Sequence, residues 1–329
     1  MDAKITKKRI AHMLSYDGIK MGGLALVLIL FWNLIFTMTA TRMRPSQRFT
    51  VFNHQANSIL SDDFHNDLSK AINDNTFSYE VIESTTNDLA VTGEYVSVMM
   101  STRLAIDEGD VMFIPKLVDP STAYEDEENG ETKYEADYLQ TFLKNYRPYL
   151  YDLDPEKEGG YFYELKAYLN GYYEDYNNAE TIDREKIARE FIARAKKKKD
   201  KRFKTEEQLA LGAQKEVERI QKYRDALLKL EDFLSRGIVA FEEVEATSGE
   251  YHFKGKFALN ICPNEDTMGE LKKYASYAET GVDEEGKETL KITAKDMCVM
   301  FFNTKGTEES FEYESLLYVV HMIEKCVAA

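Results

Sequence analysis

The sequence predicts an α/β protein in which an N-terminal transmembrane helix precedes a larger domain of alternating strands and helices. Three observations support this prediction. Residues 21–40, MGGLALVLILFWNLIFTMTA, contain no charged side chain. From residue 48 onward, short apolar strands alternate with amphipathic helices, a pattern typical of a parallel sheet with crossover helices. The 329 residues carry a formal net charge of −16, which is typical of a soluble exported domain.

The uncharged stretch is long enough to form a membrane span. About twenty residues, each rising about 1.5 Å along a helix, cover the roughly 30 Å of a hydrocarbon core. A helix also satisfies its own backbone hydrogen bonds there. We therefore predict a transmembrane helix at 19–41. The alternatives are a cleaved signal peptide, whose apolar region would be shorter, and a buried core helix.

The charge distribution predicts the orientation and excludes one class of partner. Residues 1–42 carry six basic and two acidic residues, so the remaining 287 carry a net charge of about −20. Such an acidic domain argues against nucleic acid as a partner. Basic residues are slightly more frequent before the stretch than after it, so we expect a cytoplasmic tail at 1–18. Residues 42–329 then form an extracytoplasmic domain of a single-pass protein in the cell membrane. Asn33 offers a polar contact for a membrane-protein partner.

The region that follows the stretch reads as a strand–helix–strand–helix–strand unit. We predict strands at 48–52, 79–83 and 110–114, with helices at 61–72 and 95–106 between them. In the second helix, Val98, Thr102 and Ile106 lie in line along one side. Right-handed crossovers place the loops after parallel strands at one edge of the sheet.

This shared edge is where ligands usually bind in open α/β sheets. The predicted loops are 53–55, 84–88 and 115–119. We expect ligand-binding side chains among the polar, uncharged residues of the first two loops, with tyrosines of 161–176 as stacking partners. These candidates are Asn53, His54, Gln55, Thr85 and Asn87. The alternative is that they form turns without any ligand.

The rest of the chain predicts a second set of elements. An exposed acidic loop at 120–136 precedes a helix at 137–146, and a charged helical insert lies near 185–235. Its basic run, 196–199, either contacts an anionic surface or forms a solvated face, and the surrounding glutamates favour the latter. Strands return at 255–261 and 297–302, with polar residues at 278–286 between them, and a helix at 310–327 closes the chain. About 287 residues after the stretch usually divide into two lobes.

No motif for catalysis, metal binding or cofactor binding is found. The sequence lacks a nucleophile elbow, a zinc-binding HExxH motif, a P-loop and a dinucleotide fingerprint. The three cysteines are too few for a disulfide framework, although pairing of Cys262 with Cys298 stays open beside free thiols. We therefore expect no enzyme activity, no catalytic residue, no metal and no cofactor.

Three stretches resemble one known family. They are LAIDEGDV at 104–111, FALN at 257–260, and VMFFNT at 299–304 followed by a helix. These stretches are similar to elements of type 2 extracellular solute-binding proteins. Residues 16–20, together with the FWNLIFTMTA of 31–40, resemble the membrane-spanning start of uncharacterised single-pass relatives in monoderm bacteria. The resemblance implies a two-lobed periplasmic-binding-protein-like fold that binds a polar small molecule such as a sugar. The alternatives are a non-catalytic structural or assembly component of a cell-envelope complex, and a hydrolase.

Overall fold

The computed structural model describes residues 7–39, 44–54, 56, 58–89, 95–126, 130–282, 288–304 and 313–327. The chain divides into two compact units, Met1–Arg44 and Pro45–Ala329. The mixed α/β character predicted from the sequence is confirmed.

The first unit contains one long helix, α1 (Lys7–Thr39). The uncharged stretch predicted from the sequence lies inside this helix, apart from residue 40, which lies outside the described residues. Side chains are described for residues 22–36 of the stretch, and they are exposed. Across the described residues, no helix combines the length and the apolar character required to cross a membrane.

The second unit is built from strands and helices that alternate along most of its length. The strands are β1 (Arg48–Asn53), β2 (Ser58–Leu60), β3 (Glu83–Asp88), β4 (Val111–Pro115), β5 (Ala123–Glu125), β6 (Thr132–Tyr134), β7 (Ala240–Ser248), β8 (Tyr251–Asn260), β9 (Ala275–Val282), β10 (Glu288–Thr293) and β11 (Met297–Phe301). The helices are α2 (Asp62–Asn73), α3 (Val96–Ala105), α4 (Tyr138–Tyr146), α5 (Tyr161–Asn170), α6 (Arg184–Lys198), α7 (Glu206–Ser235) and α8 (Glu314–Cys326).

Six of the strands form the central sheet in the order β3-β1-β4-β11-β8-β7. The first three are parallel, as the sequence predicted, whereas β11, β8 and β7 are antiparallel to their neighbours. Side chains alternate between two apolar clusters, one on each face of the sheet. Helices α2, α5, α7 and α8 cover one face, while α3 and α4 cover the other. The unit is therefore a three-layer α/β structure.

The helices that flank the functional edge begin at well-formed caps. The Ser61 hydroxyl accepts a hydrogen bond from the Phe64 amide at 3.1 Å and starts α2. Asp137 and Gln140 form a reciprocal capping box at the start of α4. Such caps satisfy backbone donors that the first helical turn leaves free. They fix where each helix leaves the sheet edge.

The structure corrects the prediction for the second strand. The predicted strand at 79–83 is wrong, and β3 is instead the polar run Glu83–Asp88 that was expected to be a loop. The Tyr79 hydroxyl, instead of belonging to a strand residue, donates a hydrogen bond to the Glu216 carboxylate of α7 at 3.2 Å. A polar strand is tolerated because β3 lies at the edge of the sheet, where every side chain is only half-buried.

The structure adds detail to the predictions for α3, for the polar stretch 278–286 and for the cysteines. Helix α3 buries Met100 and Leu104, whereas Val98 and Ile106 are 64% and 59% exposed. Residues 278–282 of the polar stretch 278–286 belong to β9, which pairs with β10 and β2 in a separate three-stranded sheet, and residues 283–286 lie outside the described residues. Cys262 and Cys298 are not paired, and all three cysteines are buried free thiols.

The charged insert predicted near 185–235 is a helical hairpin, and α7 joins the main core. The Arg219 guanidinium on α7 is 1% exposed, and its Nε and Nη2 donate to the Glu216 carboxylate at 2.9 and 2.7 Å. It also donates to the hydroxyls of Tyr168 and Tyr223, and the Tyr223 hydroxyl donates to Glu314 of α8 at 2.7 Å. Burial raises the pKa of Glu216, but the guanidinium groups of Arg219 and of Arg194, whose Nη2 is 2.7 Å from the carboxylate, outweigh it and hold that pKa at about 2. A satisfied charge network therefore fixes α7 against α5 and α8.

Candidate functional site

A cavity of about 490 Å³ opens at the carboxyl ends of the three parallel strands. The chain leaves β1 toward α2 on one face of the sheet, whereas it leaves β3 toward α3 on the opposite face. Neighbouring loops that diverge in this way leave a crevice between them, and open α/β sheets bind ligands in such crevices. The cavity volume falls within the range of about 300–1,000 Å³ typical of small-molecule sites.

The cavity is lined by residues from all three strand-end loops and from the helices α3 and α4. The described lining residues are His54, Leu89, Val96, Ser97, Asp119, Pro120, Ser121, Tyr138, Thr141, Phe142, Asn145 and Tyr146. Apolar side chains thus meet hydroxyls, an amide and a carboxylate, which is the usual composition of a site for a polar ligand.

Four rings form a continuous row along one wall, which we call the aromatic row: Tyr138, His54, Phe142 and Tyr146. Successive ring centroids are 5.1, 6.0 and 4.7 Å apart. Three of these rings come from α4 at positions i, i+4 and i+8, so helical spacing places them on one side of the helix. The aromatic row therefore presents ring faces and edges to anything bound beside α4.

His54 is the first residue after β1 and is 8% exposed. Its amide donates to the Phe113 carbonyl at 2.9 Å, and its Nδ1 accepts the Ala56 amide at 3.1 Å. Because Nδ1 is an acceptor, the neutral ring carries its proton on Nε2. Burial lowers the pKa of His54 to about 4, although the nearby Asp119 carboxylate raises it somewhat. The imidazole is therefore neutral at pH 7 and retains a donor at Nε2.

Asp119 follows β4 and is 4% exposed. The amide and hydroxyl of Ser121 donate to its Oδ1 at 2.9 and 2.7 Å. Burial raises the pKa of Asp119, but the hydroxyls of Ser121 and Thr141 and the nearby His54 outweigh it, so the pKa lies below its usual value. The cavity thus contains a carboxylate that stays ionised at neutral pH.

A second, more open groove of about 610 Å³ adjoins the cavity and shares Ser121, Thr141 and Asn145 with it. Its remaining wall includes the exposed charged side chains of Glu135, Lys144 and Glu245. It contains no buried titratable group among its described residues. The first cavity is therefore the better candidate site.

The structure places one of the five predicted site residues in the cavity, and this residue is His54. Asn53 is fully buried in β1, where its Nδ2 donates to Asp88 at 3.2 Å. The loop placement of Thr85 and Asn87 is wrong because both lie within β3, and Thr85 shares a hydrogen bond with Thr50. Gln55 lies outside the described residues.

None of the tyrosines of 161–176 is among the described residues that line the cavity. Tyr161 packs against Tyr151 and Phe301 in the cluster on the opposite face of the sheet. The sequence contained a usable signal for the rings that line the cavity. Tyr138, Phe142 and Tyr146 recur at four-residue spacing in a predicted helix that directly follows the predicted site loops.

Asp110 occupies the position that resembles the solute-binding family, yet its role in the structure is a backbone one. Its Oδ2 accepts the Thr50 amide at 2.8 Å, and its carbonyl accepts the Phe302 amide at 3.0 Å. Asp110 therefore joins β1 to the start of β4, at the edge of the sheet away from the cavity.

Comparisons with known proteins add no relative. No family model matches the chain, and neither the curated proteins nor the solved structures give a significant match. The function is therefore inferred from the residues of the site.

Proposed function

We propose that the protein is a membrane-tethered, extracytoplasmic binding protein that takes a small polar solute into the cavity at the carboxyl ends of β1, β3 and β4. One observation carries the proposal. The cavity lies where crossover connections diverge to opposite faces of the sheet, and it combines the aromatic row with an ionised carboxylate and a neutral imidazole donor. This combination suits a polar ligand with a ring or methylene face.

The residues favour binding over catalysis. A general base works best when its pKa lies near the operating pH, whereas burial lowers the pKa of His54 to about 4. The Ser121 hydroxyl donates to Asp119 rather than to the imidazole, which is not the arrangement of an activated serine. We propose that the site binds its ligand unchanged.

The membrane tether is proposed from the sequence of residues 21–40. The described side chains of this stretch include exposed Leu24, Leu30, Trp32 and Phe36. An apolar surface of this kind is normally covered by lipid or by another protein. We propose lipid as the main cover, with an N-terminal cytoplasmic tail and an Asn33 contact to a membrane-protein partner.

The finer fold assignment also belongs to the proposal. We propose that residues 45–329 are a two-lobed domain similar to type 2 solute-binding proteins. The main sheet and the separate sheet of β2, β9 and β10 supply two centres around which lobes can form. The alternative is a structural or assembly component of a cell-envelope complex that uses the same fold without a ligand.

Filling the cavity tests the binding proposal. Ser97 lines the cavity on α3, whereas Ser101 is exposed one turn further along the same helix. Ser97→Trp should place an indole in the cavity, and Ser101→Trp is the matched control. The measurement is the melting temperature of the full-length protein in mild detergent across panels of sugars, amino acids and short peptides.

A ligand that stabilises the wild type and Ser101→Trp, but not Ser97→Trp, supports the proposal. If no compound in the panels raises the melting temperature of the wild type, the assembly role is favoured. If a compound stabilises all three proteins equally, binding occurs elsewhere and the cavity is not the site.

A further inference from the structure

The charge of the cavity points to a narrower class of ligand. We propose that the bound solute carries an ammonium group, held by the Asp119 carboxylate and the faces of the aromatic row. This inference rests on the proposed function, since it assigns a ligand class to the same cavity. A neutral sugar, by contrast, would satisfy the hydrogen-bonding groups of the site but not its charge.

The charges of the residues that line the cavity favour a cationic ligand. Among the described lining residues, none is a lysine or an arginine, and His54 is neutral at pH 7. Asp119 is therefore the one described lining residue that is charged at neutral pH. A buried carboxylate is costly unless an opposite charge or several hydrogen bonds compensate it. Ser121 supplies two hydrogen bonds, both to Oδ1, and the Thr141 hydroxyl adds to them, but neither residue supplies a positive charge.

The aromatic row also favours a cationic ligand. Ring faces attract cations through their quadrupole, and cages of aromatic rings are a known means of binding quaternary ammonium groups. Burial raises the pKa of Tyr138 and of Tyr146, so both phenols remain neutral and the negative charge of the cavity comes from the Asp119 carboxylate. Three electron-rich rings and one carboxylate in a single cavity favour a cation over an anion or a neutral molecule.

The net charge of the residues after position 42 acts on ligands at long range. Residues after position 42 carry a net charge of about −20, given +4 in residues 1–42 and −16 for the whole chain. A strongly acidic domain concentrates cations near its surface and repels anions. The overall charge and the local charge therefore act in the same direction.

A small cation tests the inference without knowledge of the natural ligand. The probe is tetramethylammonium chloride at about 50 mM, which should raise the melting temperature of the full-length protein by about 2 °C if its dissociation constant is a few millimolar. Sodium chloride at the same ionic strength controls for screening. tert-Butanol, which is similar in size and neutral, controls for shape. Saturation-transfer NMR of the probe's methyl protons reports binding directly.

Two pairs of variants assign the effect to the cavity. Asp119→Asn removes the charge but keeps an acceptor for Ser121. Its control, Asp107→Asn, removes an exposed charge at the opposite edge of the sheet, where a φ of +60° suits asparagine. Tyr146→Leu removes a ring face, and Tyr146→Phe retains it. If Asp119→Asn fails to fold, the Tyr146 pair still gives the answer.

The proposal holds if the probe stabilises the wild type, Asp107→Asn and Tyr146→Phe, while Asp119→Asn and Tyr146→Leu bind it at least about five-fold more weakly. It is overturned if Asp119→Asn binds the probe as well as the wild type does, or if tert-butanol acts equally. If only neutral solutes stabilise the wild type, the ammonium assignment fails and the binding function stands. If neither the probe nor the solute panels have any effect, both fail.

Discussion

Acidification should destabilise the domain through His54, and the size of the effect follows from its burial. The pKa of His54 falls from an ordinary 6.5 to about 4 in the folded protein. Between these values the unfolded chain binds a proton that the folded domain does not. Stability is therefore complete above pH 6.5 and is lost as the pH falls toward 4. At about 1.36 kcal/mol per pH unit, this loss is about 3 kcal/mol.

The comparison variant is His54→Asn, whose side-chain oxygen can still accept the Ala56 amide but cannot take up a proton. Urea unfolding of residues 45–329 gives the free energy of unfolding at pH 7.5 and at pH 4. Circular dichroism is the suitable signal, because the single tryptophan is Trp32 and lies outside this unit. We expect the wild type to lose about 3 kcal/mol more than the variant over this range.

Subtracting the variant removes the other groups that titrate in the same window. His321 also has a pKa lowered by burial, and it is present in both proteins. Asp119, the charged neighbour of His54, stays ionised through most of this range because its pKa is below the usual value. If the wild type and His54→Asn lose equal stability, the imidazole is not a buried neutral group, and the description of the site is wrong.

Three further predictions concern other parts of the chain. The full-length protein should stay with membranes after alkaline carbonate washing, whereas residues 45–329 alone should be found in the wash; release of the full-length chain would refute the tether. Arg219→Met should lower the free energy of unfolding by about 1.5–3 kcal/mol, as measured by urea unfolding, because Glu216 loses its fully buried partner and keeps only Arg194, whose Nη2 lies 2.7 Å from the carboxylate. Asn53→Ala should cost about 1–3 kcal/mol, since Asp88 loses a hydrogen bond, without weakening ligand binding. If Asn53→Ala instead binds the ligand more weakly at unchanged stability, Asn53 belongs to the binding site.

The sequence predicted the elements whose patterns are local. β1 and β4 are continuous apolar runs, and α2 begins at a serine cap, so their positions followed from neighbouring residues. β3 was missed because the sheet edge it occupies demands no apolar side chains. The predicted strand residue Tyr79 instead donates a hydrogen bond to Glu216, a contact between residues 137 positions apart. No local pattern contains that information.

The candidate site was also only partly predictable from the sequence. The carboxyl edge of the parallel strands was expected to bind the ligand, and His54 lies there in the cavity. Asp119 lies within the third predicted loop, 115–119, but the predicted ligand-binding residues were the uncharged polar residues of the first two loops. The rings of α4 reach the cavity because the connection after β4 places that helix on the same face of the sheet as α3. The sequence alone did not fix that choice of face.

The position of β11 in the sheet has a consequence for how the chain folds during synthesis. β4 is a row of five buried residues, VMFIP, and its second neighbour is β11, which begins 182 positions after Pro115. At about 5–20 residues per second, a ribosome takes roughly ten to forty seconds to cover that distance. Throughout this interval the nascent β4 has one open, apolar edge, which is the kind of surface that pairs with other chains. Folding of the domain is therefore largely post-translational, and its yield in cells should depend on chaperones that cover this edge until the last strand is made.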